Sequence, residues 1–98
     1  MEPPAISNGL PGADLVEEGL ADLQRGVESR ESLLVSIGAP RLRRLGFDVR
    51  EPFAVPEHRL YELLDAEHGD AAHSRYNALV RRLVSFERAA AAAASSRA

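Results

Sequence analysis

The sequence predicts an all-α fold: a small bundle of four main helices plus a short fifth, with antiparallel neighbours, behind a disordered N-terminal arm. Three observations lead there. Apolar residues recur at helical spacing through most of the chain. A capping residue or a proline precedes each such run, and a glycine or proline closes most of them. Only one stretch could pass for a strand, and a lone strand has nothing to pair with.

Residues 1–13 hold Pro3, Pro4, Gly9, Pro11 and Gly12 and read as a loop or disordered arm. The helical domain is expected over 14–94, with residues 95–98 a frayed tail. Asp14 is the expected first N-cap, with Glu17 completing a capping box. Behind it, Leu15, Val16, Gly19, Leu20 and Leu23 share one helical face, while Glu17, Glu18, Asp22 and Gln24 lie away from it. Gly26 is a stop.

Ser29 is placed to cap a second helix. The run that follows, Leu33–Ile37, is short and apolar enough to be a strand or a helix. The preceding cap and the lack of a partner strand favour helix. Pro40 ends that helix or opens a new turn, because it lacks an N–H and restricts Ala39. Arg41–Leu45 is a short further helix closed by Gly46. Phe47–Val55 is expected to be an extended connector whose apolar side chains fill the gap between helix pairs. Pro56 suits the first turn of the next helix. That helix, Glu57–His68, offers Leu60, Tyr61, Leu63 and Leu64 to the core, and Gly69 stops it. Asp70 is the expected cap of the last and longest helix. There Ala72, Tyr76, Leu79, Val80, Leu83, Phe86 and Ala90 share a face with Val84 at its edge. Ala89–Ala94 prolongs the helix by propensity.

Composition closes off several chemistries. With 98 residues there is room for one domain, and one this small buries only about 60% of its unfolded surface. The chain has no Cys, which removes disulfides, thiol catalysis and Cys-based zinc sites. All 12 of its basic residues are Arg, so there is no Schiff-base or P-loop lysine. The Arg and Ala bias points to a GC-rich, bacterial genome. Met1–Pro4 lacks the features of a signal peptide, and no apolar run approaches a membrane span, so a soluble cytoplasmic protein is expected. Residues 1–40 carry seven acids and two Arg, and residues 41–98 carry ten Arg and eight acids. This asymmetry is milder than the basic excess of most nucleic-acid domains.

Four groups of residues are candidates for function. His73, Asn77 and Arg81 form an i, i+4, i+8 stripe that could hold a small anion, or simply border the core. Arg41, Arg43, Arg44 and Arg50 are the densest basic segment and could contact DNA, although the helix they occupy is short for a recognition helix. Tyr61 and Tyr76 belong to apolar faces and are expected in the core. Tyr76, Leu79, Leu83, Val84 and Phe86 present more apolar width than one neighbouring helix covers and are a candidate partner interface, flanked by Arg82 and Arg88. His68 and His73 match no metal spacing, and His58 with Glu62 reads as a surface i,i+4 pair. No nucleophile elbow or phosphate loop is present. The expectation is a non-catalytic interaction module with no metal and no cofactor. It would act as a homo-oligomer or bind a larger protein, with a DNA-associated regulator or an anion binder as alternatives.

Overall fold

The computed structural model describes residues 9–96, among which every regular element is helical and there is no strand. The elements are α1 (Ala13–Gln24), α2 (Arg30–Ile37), α3 (Ala39–Arg44), α4 (Pro56–His68), a 3₁₀ turn (Gly69–Ala71) and α5 (Ala72–Ser96). The expected arm at residues 1–8 lies outside the described residues, whereas residues 9–12 form turns that lead into α1. At the other end the helix continues through Ser95 to Ser96 rather than fraying at residue 95.

α1 begins one residue earlier than Asp14 predicts. Gly12 is the N-cap, in the left-handed region at φ +78°, and no side chain caps the helix. A Cβ at Gly12 would lie 2.8 Å from the Arg82 carbonyl oxygen, so both conformation and close approach demand glycine. Asp14 instead sits inside the first turn, 3.3 Å from an Nη of Arg82 on α5.

The α1 and α3 stops share one mechanism. Gly26 N donates to Leu23 O and Val27 N to Asp22 O, the paired bonds of a Schellman motif. Gly46 N donates to Arg43 O and Phe47 N to Leu42 O in the same way after α3. Both glycines have positive φ. The second motif turns the chain so that Phe47 enters the core.

Ser29 caps α2 as expected, and its partner in the capping box is another serine. Ser29 Oγ accepts from Ser32 N at 3.0 Å, and Ser29 N donates to Ser32 Oγ at 2.7 Å. Leu33, Leu34 and Val35 are all buried, because α2 packs against α1, α4 and α5 together. A helix covered on every side loses the amphipathic signature, which is why this run resembles a strand in sequence. Gly38 ends α2 and caps α3, with Pro40 in the first turn of α3.

Two expected roles change. Asp22, placed on the solvent face of α1 by its spacing, is buried and accepts from Ser29 Oγ at 2.8 Å and from Arg25. It locks the α1–α2 turn instead of facing water. Asp70 lies within the 3₁₀ turn that joins α4 to α5, not at the cap position immediately before α5.

The connector after α3 fills the core in part. Phe47 and Val49 are buried, Phe53 is partly buried, and Phe53 N donates to Ser36 Oγ at 3.0 Å. Val55 does not follow them: it caps α4 with a left-handed φ of 48° and is 65% exposed. Arg59 on α4 reaches the α1–α2 loop, donating to both Glu28 oxygens at 2.5 and 2.6 Å. That bond holds the Glu28 carboxyl below its ordinary range.

Candidate functional site

The apolar face of α5 is covered more completely than its width suggests. Phe86 is fully buried, and its ring centroid lies 5.5 Å from that of Phe47 in the connector. Leu83 and Ala90 are buried as well. Leu83 and Phe86 are therefore core residues of this chain and not a free partner surface. Sequence spacing counts only helices as cover, and here a residue outside any helix supplies it. Tyr76, Leu79, Val80 and Val84 are only half-buried. On the helical wheel Val80 and Val84 form one edge of α5, next to Tyr76.

The upper end of this edge is aromatic. Tyr61 on α4 is 39% exposed, against the expectation that it is core. Its ring lies 5.8 Å from that of Tyr76 and 6.3 Å from the imidazole of His73, tilted against both. Partial burial and the nearby charge of Glu57 raise the Tyr76 hydroxyl above its usual range. The antiparallel run of α4 beside α5 brings these rings together.

The polar stripe is real on the helix surface but only partly connected. Asn77 Nδ2 donates to His73 Nε2 at 3.2 Å, one turn apart. Arg81, a turn further on, has no ion-pair partner among the described residues. It lines a shallow depression with Pro11, Gly12, Ala78, Arg82 and Ser85, away from the two polar partners it was grouped with.

The basic segment is largely engaged within the chain. Arg43 Nε donates to Val49 O at 2.9 Å and so pins the connector. Arg50 pairs with Asp48 at 3.0 Å. Arg44 Nε makes a long 3.5 Å bond to Pro40 O in its own helix. Arg41 Nη1 lies 3.6 Å from Oε1 of Glu87 on α5. These four do not form a single basic face.

Glu87 is the feature that sequence reasoning missed. It is the only acid on α5, one residue after Phe86, and its side chain is 5% exposed. Burial pushes its carboxyl above the usual range, partly offset by Arg41. No hydrogen bond reaches it from any described residue. It lines an open groove of about 270 Å³ between α5 and the α2–α3 junction, with Ile37, Gly38, Pro40, Arg41, Arg44, Val80, Leu83 and Val84. A lone acid at helical spacing from Tyr76, Val80 and Leu83, and so within the apolar arc of α5, was the available signal. Its burial depends on Gly38, where a Cβ would come within 2.8 Å of Glu87 Oε2.

Among the described residues no group of three His, Asp or Glu could hold a metal ion. His58 pairs with Glu62 at 3.4 Å on the surface, as expected. The buried Nε2 of His68 has no hydrogen-bond partner among the described residues, with Glu67 Oε1 3.7 Å away. No described helix is long and apolar enough to cross a membrane. Comparison with protein-family models, with curated proteins and with solved structures finds no match.

Proposed function

We propose that this chain is a non-catalytic helical interaction module that pairs with a second copy of itself along the α4–α5 edge. The observation that carries the reading is the half-covered apolar strip formed by Tyr61, Tyr76, Val80 and Val84. A strip of this kind, rimmed by charge, is a common form of partner surface.

Charge favours a second copy as the occupant. α4 carries four acids and one Arg, and α5 carries four Arg and one acid. In a two-fold dimer, α4 of each copy would lie against α5 of the other, so each acidic helix would meet a basic one twice over. Tyr61 would then lie at the seam. Tyrosine suits such a place because it combines a large apolar ring with a polar tip and loses little entropy on binding. The arginine-only cation set and the lack of cysteine agree with a cytoplasmic protein of a bacterium. The DNA-associated reading gains little from the basic segment, because Arg43 is bonded to Val49 O, Arg50 is paired with Asp48, and Arg41 and Arg44 line the groove beside α5.

Sedimentation velocity tests the reading. The wild type is expected to form a dimer at micromolar concentration and to weaken as salt rises. Tyr61→Asp is expected to give a folded monomer, because the position is exposed in the isolated chain. A wild type that stays monomeric at high micromolar concentration sinks the proposal.

A further inference from the structure

We propose that the groove between α5 and the α2–α3 junction is a binding site for a small apolar monocarboxylate. Its head would be held by Arg41 and Arg44, and its body would lie against Ile37, Val80 and Val84.

Size selects a small molecule. The groove holds about 270 Å³, near the low end for ligand pockets. Its walls are mostly apolar: Ile37, Pro40, Val80, Leu83 and Val84. Its charged groups are few and converge from two elements. α3 supplies Arg41 and Arg44, α5 supplies Glu87, and α2 contributes only Ile37 and Gly38 to the lining.

The charge balance selects an anion. Two guanidinium groups face one carboxylate, so a cationic head would meet net repulsion. Both arginines keep donors to spare. Arg41 is 62% exposed and sits 3.6 Å from Glu87, beyond hydrogen-bond length, and the Arg44 bond to Pro40 O is at the 3.5 Å limit. Arginine presents its donors in a fork that fits a carboxylate.

Glu87 selects a single negative charge. The Glu87 side chain is mostly buried, lines the groove and has only the 3.6 Å ion pair with Arg41. Its position leaves it open to a group in the groove. A dianion such as phosphate would be opposed by the Glu87 charge. A carboxylate can instead share one proton with Glu87, as neighbouring carboxyl pairs do. The desolvation that raises the Glu87 carboxyl makes that proton easier to hold.

This site shares Val80 and Val84 with the proposed dimer seam, whereas Ile37, Arg41, Arg44 and Glu87 lie outside that seam. The monomeric Tyr61→Asp variant keeps every groove residue, so failure of the dimer and failure of the acid site can be read separately.

Octanoate is the probe, and methyl chemical shifts in nuclear magnetic resonance titrations are the readout, with octylamine as the cationic control. Octanoate is expected to shift the methyl groups of Ile37, Val80 and Val84. Arg41→Ala and Arg44→Ala, both at exposed positions, are each expected to weaken binding about tenfold. Wild-type affinity is expected to fall as pH rises above the ordinary carboxylate range and Glu87 gives up its proton. Glu87→Gln, which donates a hydrogen bond at any pH, is expected to bind at least as tightly and to lose that dependence. Helical circular dichroism confirms that each variant folds. Three results would each overturn the proposal: octylamine binding in place of octanoate, arginine variants that bind like the wild type, or shifts scattered away from the groove.

Discussion

The α1–α2 hairpin and the α3–α5 groove are built from similar residues and are finished differently. In the hairpin the buried polar side chains of Asp22, Ser32 and Ser36 all have partners. Asp22, Ser29 and Ser32 bond to one another, and Ser32 Oγ also donates to Val27 O at 2.8 Å. Backbone meets backbone at Gly19, where a Cβ would overlap the Glu31 carbonyl oxygen and lie 2.7 Å from Val35 Cγ1. In the groove a buried carboxylate has only a loose ion pair, and apolar side chains remain half-covered. A satisfied and tightly packed region is where a small chain concentrates its stability. A region with unused acceptors and spare donors is where binding can occur.

The two glycines at these places sharpen the contrast. Gly19→Ala is expected to cost about 3 kcal/mol, because the new methyl meets a carbonyl oxygen that cannot move without separating α1 from α2. Urea denaturation measures it. A loss under about 1 kcal/mol would mean that the hairpin is not the rigid half. Gly38→Ala meets only side-chain ends, Glu87 Oε2 at 2.8 Å and the Leu83 methyls at 3.1 and 3.2 Å. Its φ of −87° suits any residue. The expected cost is below about 1 kcal/mol, with the clearer effect being a smaller groove and weaker octanoate binding. Equal costs at the two sites would erase the distinction.

The smallest expected effect lies in pH dependence. Arg59 lowers the folded Glu28 carboxyl, so its contribution is present above the ordinary carboxylate range and lost as pH falls through the lowered value. Glu87 runs the other way. Its folded carboxyl is raised, so its contribution is complete below the ordinary range and lost as pH rises through the raised value. Glu87→Gln is therefore expected to gain on the wild type as pH rises from acid to neutral. Urea midpoints at several pH values check this, and a constant gap would show that Glu87 is well solvated.

The elements of this fold were legible because they rest on local chemistry. Ser29, Gly26, Gly46, Pro56 and Gly69 act on the backbone within a turn of themselves, so their meaning is contained in short stretches of sequence. The first cap was misplaced for the same kind of reason in reverse. Gly12 is set by the distant Arg82 carbonyl, which a local reading of Asp14 does not include.

The sites were decided by contacts across the chain. Helical spacing showed that α5 has a wide apolar face, but not that Phe47 would close over Phe86. It places Asp22 on the charged face of α1 and does not single out Glu87, whereas packing buries both, one with partners and one almost without. It set Tyr61 in the core, and the approach of α4 to α5 left it at the surface. A residue's periodicity states which way it points from its own helix. What it meets there depends on residues tens of positions away, and that is the part only the tertiary structure supplied.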